Sequence, residues 1–333
     1  MSVLRPHFAN AEKTSTELAN HLSQKRLALS RRAALEVLAA SLRDPSSAGA
    51  RAVDHLHALG FLGAPALDEE TRGGIAEWEK HDWTLALPYY LASRRTAFFD
   101  EGDQFRVRQD EALRQYLTAS EAIPQPRAAG PRATPLAPPC DLPDEELGKV
   151  LFRRTSSKRF PDRTIPQEQL SAVLSHGFKA IRSYRRPDPQ NAREVLRSSG
   201  SALDVFFAAY KVEGLTPGIY FYDLSSHTIE LVRTGDFRQT VQHCLIGQDS
   251  TLTSSCTIFL TTEFRRYQWR YRHERALRNL YMDTAWVINR LILVATSLRL
   301  QTFITPATRD TETCDLLGIN RNDEQVLYTL TIG

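Results

Sequence analysis

Apolar positions recur at spacings of three and four from Leu277 to Leu298: Leu277, Leu280, Tyr281, Ala285, Ile288, Ile292, Ala295 and Leu298. That period puts them on one side of a long helix. From Val287 onward polar residues are few, which predicts a helix deep in its domain. Asp283, Asn289 and Arg290 break the stretch and it is short, so it does not read as a membrane span. The stretch before it, from Phe264, is crowded with aromatics and arginines and is expected to face a cleft.

Upstream, the same reading predicts an alternation of helices and strands. Residues 1–23 are polar and read as a frayed lead-in. Ser30 can cap a helix carrying Ala33, Ala34, Val37, Leu38 and Leu42. A second helix carries Val53, Leu56 and Leu59 and stops at Gly60. This pair has the outline of a winged-helix unit, but no concentrated basic recognition helix, so a packing module is favoured over a nucleic-acid reader. A helix with an aromatic face is expected over 74–100, where Trp78, Trp83, Tyr89 and Tyr90 could line a groove. Another is expected over 103–118. Seven prolines within 123–143 exclude a regular element and mark a linker that wraps along a surface. Helices follow at 144–153 and from Pro166 through Leu174. LDVFFAAYKV (203–212), IYFYDL and HTIELVRTG read as strands, the last two forming a hairpin through Leu224-Ser225-Ser226. A helix at 236–247, a buried strand at 256–264, the long helix, the strand QTFIT, a short helix at TCDLLG and the strand QVLYTLTI complete the chain. The fold class is α+β around one sheet. The domains are an N-terminal, mainly helical region at 1–122, the linker at 123–143, and a C-terminal domain at 144–333.

Composition changes this picture little. The 333 residues are 42% hydrophobic and 24% charged, with a net charge of +3. That is ordinary for a globular protein and too weakly basic to indicate nucleic acid. Four scattered cysteines suggest neither a disulfide framework nor a zinc site. With no apolar h-region at the N-terminus, a cytoplasmic protein is expected.

Three clusters carry candidate chemistry. Arg154, Ser156 and Lys158 alternate just after a helix, so an extended backbone would point two cations and a hydroxyl to one side, as a phosphate clamp requires. Ser198-Ser199-Gly200 could offer backbone N–H groups to an anion or a ring heteroatom. Tyr271 lies between Arg270 and Arg272, whose positive charge favours a phenolate suited to acid–base work. Each also reads as an ordinary surface feature: a solvated charge run, a turn, a packed aromatic.

Taken in order, these motifs resemble the nitroreductase-like flavoproteins, and within them the SagB/McbC-type azoline dehydrogenases. The resemblance covers residues 145–333. The family's R-x-S-x-R-x-F element is matched by Arg154-Thr155-Ser156-Ser157-Lys158-Arg159-Phe160. Its P-S-x-G-A segment is matched by Arg197-Ser198-Ser199-Gly200-Ser201, followed by VEGLTPGIYFYD. Gly247-Gln248 closes the helix before the central strand. Trp269-Arg270-Tyr271, Arg278 and Asp283-Thr284-Ala285-Trp286 match the family's W-K-Y-G, R and (D/E)-A-G-H. Trp83, Tyr89-Tyr90-Leu91 and Arg94 match a segment of its winged-helix-like lead.

The resemblance implies a central mixed or antiparallel sheet flanked by long helices. It implies FMN held by Arg154, Ser156, Lys158, Ser198, Ser199, Gly200 and Gln248. Tyr271 and Arg270 would be catalytic, and Trp269 and Arg278 would meet a peptide substrate. A homodimer and a cyclodehydratase partner complex are implied, with no metal. The activity implied is oxidation of thiazoline or oxazoline rings to azoles. Two departures keep other readings open. Arg270 replaces a lysine, and arginine stays protonated. Family glycines become Ala285, Arg272, Leu298-Arg299-Leu300-Gln301 and Ile304-Thr305-Pro306, which would reshape a flavin pocket. The alternatives are a flavoenzyme for another substrate and a non-catalytic scaffold subunit.

Overall fold

In the computed structural model the described residues are 5–7, 15–20, 25–30, 69–83, 85–94, 105–118, 125–182, 185, 202–320 and 322–333. The chain divides into two compact units, Met1–Ala97 and Phe98–Gly333.

The first unit corrects the reading of the lead-in. Strands β1 (Arg5–His7), β2 (Ser15–Asn20) and β3 (Lys25–Ser30) form an antiparallel sheet in that order. Leu18 of β2 pairs with Leu27 of β3. Polar composition hid these strands. The helices expected at 30–42 and 53–60 lie outside the described residues. The aromatic segment is two helices, α1 (Glu69–Lys80) and α2 (Ala86–Ser93), because the chain turns at Asp82, whose φ is 59°. The Trp78 ring meets Trp83 edge-on at 5.6 Å and stacks on Tyr90 at 5.2 Å.

The second unit opens with α3 (Phe105–Thr118) and is built on a seven-stranded sheet. Its strands are β4 (Thr134–Pro135), β5 (Leu203–Ala209), β6 (Gly218–Asp223), β7 (Thr228–Thr234), β8 (Cys256–Glu263), β9 (Thr302–Thr305) and β10 (Glu324–Ile332). They lie in the order β4-β7-β6-β5-β8-β10-β9, and every pair is antiparallel. Period-two alternation divides the core. Leu203, Val205 and Phe207 of β5 enter one cluster, Phe206 and Ala208 the other. Register carries this across strands: Phe206 faces both Phe221 and Phe259 in the second cluster. Both faces are apolar, so both must be covered.

Helices α4 (Leu147–Arg153), α5 (Gln167–Gly177), α6 (Lys179–Arg182), α7 (Arg238–Cys244), α8 (Ser250–Thr253), α9 (Phe264–Arg270), α10 (Ala276–Ser297) and α11 (Asp310–Leu317) complete the unit. Leu170, Val173 and Leu174 of α5 and Leu280, Ile288 and Leu291 of α10 fill the first cluster. Val241 of α7 and Leu316 and Leu317 of α11 fill the second. Gly177 is required where α5 meets α10: a Cβ there would collide with the Leu291 side chain. The long helix is therefore central but one-sided. Tyr281, Met282 and Trp286 of its N-terminal half remain exposed, because they fall outside the 280–284–287–291–295 stripe.

The proline-rich segment does wrap along a surface, and it also supplies the edge strand β4 against β7. That corrects the expectation of no regular element, since an edge position needs few backbone donors and tolerates proline. The segment is fastened at each step. Gly130 N–H donates to Glu230 at 2.7 Å, Ala137 N–H to Gln167 at 3.2 Å, and Cys140 N–H to the Glu168 carbonyl at 3.3 Å. The Ser171 hydroxyl donates to the Ala137 carbonyl, and Leu136 is buried.

Candidate active site

The clamp segment leaves α4 beside the sheet edge. Arg154 is extended (φ −60°, ψ 117°), and Ser156 forms a parallel bridge with Thr302 at the start of β9. Ser157 N–H donates to the Thr302 carbonyl at 2.8 Å. The extended run ends there, and Lys158 and Arg159 enter a bend. Arg154, Ser156, Lys158 and Arg159 are all exposed, and among the described residues none of the three cations is ion-paired. Their charge is thus available to an anion. Behind them, Arg153 forms a two-pronged pair with Glu145 at 2.7 and 2.6 Å and donates to the Thr296 carbonyl, tying α4 to the end of α10. Arg299 joins the same carboxylate at 3.1 Å. Its φ is 62°, the left-handed region that glycine adopts freely. An arginine thus holds a left-handed turn at this position.

Gln248 precedes α8 in a left-handed turn at Ile246 and Gly247. The Thr253 hydroxyl on α8 accepts the N–H of Phe160, two residues past Lys158. Ser198, Ser199 and Gly200 lie outside the described residues.

A cavity of about 350 Å³ lies at the other end of β9. Tyr281 and Thr284 of α10, Pro306 and Thr308 after β9, and Gln325 and Tyr328 of β10 line it. Three strand steps, about 10 Å, separate Thr302 beside the clamp from Thr305 at the cavity's edge. Asp310 on its wall accepts the Thr308 hydroxyl at 2.6 Å and the Gln325 amide at 2.9 Å.

The basic-aromatic stretch is packed, which corrects the expectation that it opens as a whole onto a cleft. Trp269 and Tyr267 are buried. Tyr271 caps the C-terminal end of α9, its N–H donating to the Tyr267 carbonyl at 3.0 Å. Its ring lies 4.7 Å from the Tyr267 ring and 4.7 Å beneath the Arg270 guanidinium. The Tyr267 hydroxyl donates to Asp283 on α10 at 3.0 Å. Burial lowers the Arg270 pKa and raises those of Tyr267 and Asp283; the Tyr267 hydrogen bond and the Arg270 charge oppose the rise at Asp283. Arg278, half-buried, sits on the first turn of α10. Sequence reasoning passed over Tyr267, although its four-residue spacing from Tyr271 was a signal for a shared helical face. The roles of Tyr281 and Tyr328 in the cavity wall had no signal of their own.

This cluster and the cavity lie on different flanks of α10. At about 100° per residue, Asp283 is about 200° around the helix from Tyr281 and about 100° from Thr284. Tyr271, joined to Asp283 through Tyr267, is thus not among the residues that line the cavity.

The Nitroreductase family pattern matches residues 151–333. The chain belongs to the Nitroreductase family. It is a nitroreductase-like, flavin-dependent oxidoreductase. The trifolitoxin operon protein TfxC of Rhizobium leguminosarum bv. trifolii is 28% identical over 311 residues, spanning 89% of this chain and 85% of its own. A crystal structure of a candidate nitroreductase from Anabaena variabilis is 25% identical with a TM-score of 0.48, over 56% of this chain and 37% of that one. A chain of the E. coli microcin synthetase McbBCD complex with truncated pro-MccB17 bound is 15% identical with a TM-score of 0.43, over 89% and 96%.

The family implies FMN, and the residues present fit it. The unpaired cations with Ser156 suit a phosphate, and a cavity by the other end of β9, lined by two tyrosines, suits an aromatic ring. Among the described residues no group of three or more His, Cys, Asp or Glu side chains could hold a metal. No helix among them is long and apolar enough to cross a membrane.

Proposed function

We propose that this chain is an FMN-dependent dehydrogenase that oxidises thiazoline or oxazoline rings of a ribosomally made peptide to thiazole or oxazole. The supporting observation is a tyrosine clasped by a second tyrosine and an arginine at the head of the long helix, in a chain that also carries a free cationic clamp. FMN, when bound, supplies the hydride acceptor. Arg154, Ser156 and Lys158 hold its phosphate, with Gln248 and the Ser198–Gly200 segment as further contacts. Tyr271 takes the proton from the carbon next to the one that loses hydride. Arg270 cannot, because its guanidinium stays protonated; it stabilises the phenolate. Trp269 orders α9 from within, and Arg278 steers the peptide at the head of α10.

The working unit we propose is a homodimer, as the resemblance to the nitroreductase-like flavoproteins implies. The cyclodehydratase that forms the azoline is the proposed partner complex. Arg270 in place of lysine and Pro306 in place of glycine favour one competing reading, a flavoenzyme for a different substrate.

The test is the purified protein's visible spectrum, followed by incubation with a heterocyclised peptide. Released FMN and a product lighter by two hydrogens per ring support the proposal. A yellow protein that leaves the azoline unchanged means another substrate. A colourless protein that takes up no FMN means a scaffold. Tyr271→Phe is expected to lower kcat roughly 100-fold or more while FMN stays bound.

A further inference from the structure

Tyr271 is held on three sides, and one carboxylate stands behind two of the groups that hold it. Tyr267 braces the ring and spends its own hydroxyl on Asp283. Arg270 covers the ring and feels the charge of Asp283 as well as Tyr271. From the linking turn, the His273 ring faces Tyr271 edge-on at 6.3 Å; burial and Arg275 keep that imidazole low, against Glu274. Arg272 donates to the Trp269 carbonyl.

We infer that Asp283 is a positioning residue for the proton-accepting tyrosine: it fixes Tyr267 by hydrogen bond, and Tyr267 braces the Tyr271 ring. The inference rests on the reading of Tyr271 as the base. Its physical content is orientation: a hydrogen bond between two helices holds one ring still, and that ring holds the next.

Three variants test this role. Asp283→Asn still accepts from Tyr267. Asp283→Leu does not, and Tyr267→Phe loses the donor. The near-ultraviolet circular dichroism of Tyr271, read as the difference between each protein and its Tyr271→Phe counterpart, needs neither flavin nor substrate. In Asp283→Leu and Tyr267→Phe that signal falls by roughly half and kcat falls about tenfold, KM staying within about twofold, as expected when a reacting group loses its orientation. Asp283→Asn keeps the signal and keeps kcat within about twofold of the parent. An unchanged Tyr271 signal in Asp283→Leu, with Tyr271 still essential, overturns the role of Asp283 alone. Full kcat in Tyr271→Phe overturns the base reading, and the inference with it.

Discussion

Two arginine-rich segments of similar composition meet opposite fates. In Arg153 to Arg159 only Arg153 turns inward, and Arg154, Lys158 and Arg159 stand in solvent. In Arg265 to Arg272 three of the four cations are engaged, and Arg265 is exposed. Arg266 is 4% exposed and bridges Asp204 and Glu263, Arg270 lies on Tyr271, and Arg272 bonds the Trp269 carbonyl. What differs is the interleaving. Thr155, Ser156 and Ser157 offer little surface to bury an arginine stem, so the charges stay hydrated. Tyr271 offers a planar face under Arg270, and Asp204 and Glu263 hold Arg266, which draws those charges in. Free cations can take an anionic ligand. Spent cations can only tune their neighbours.

The sharpest way to break this contrast is at Asp204. Its buried carboxylate meets Arg185 at 2.9 Å and also Arg266, both almost without exposure. Asp204→Asn strands two buried arginines and is expected to cost about 3–5 kcal/mol in urea unfolding. A loss below about 1 kcal/mol would show that the arginines of this end are hydrated after all. The matching change at the other end is Arg154→Ala with Lys158→Ala. Removing two charge-assisted contacts is expected to weaken FMN roughly 100-fold by fluorescence titration. Stability should stay within about 0.5 kcal/mol, since both side chains are exposed. A clamp variant that unfolds the domain, or that binds FMN normally, would erase the distinction.

The sheet and α10 were legible because burial imposes a period and the period is in the residues. The hairpin at Leu224–Ser226 and the strand 256–263 emerged near their expected bounds. From Val287 onward α10 is as deep as its apolar run predicts, but the stripe was overread upstream, where Tyr281 and Ala285 lie off the buried face. β1 to β3 were not legible, because strands with few apolar residues carry little alternation. At the site, spacing placed Arg154 and Ser156 along one extended run but could not show that it bends at Lys158. The Tyr267–Asp283 bond joins residues on two helices, and no local pattern encodes such a meeting. Arg299 in place of a family glycine read as a reshaped pocket, yet its backbone is left-handed, a conformation glycine adopts freely, and its side chain reaches Glu145.

The smallest effect separates the two ends by sign. Glu145 lies behind the clamp, where hydrogen bonding and charge from Arg153, then Arg299, pull its carboxyl from 4.5 down to about 2. A carboxylate depressed in the folded state stabilises it above the unfolded value and loses that contribution as pH falls toward 2. Asp283 behind Tyr271 is raised by burial instead, so protonation favours the fold, and its contribution grows as pH falls. Glu145→Gln should therefore lie below the parent in neutral buffer and meet it near pH 2. Asp283→Asn should lie level with or above the parent at neutral pH and lose that advantage on acidification. Unfolding curves at several pH values measure both. Parallel curves would mean that solvent screens the two carboxylates alike, and that the free and the spent ends differ in packing but not in field.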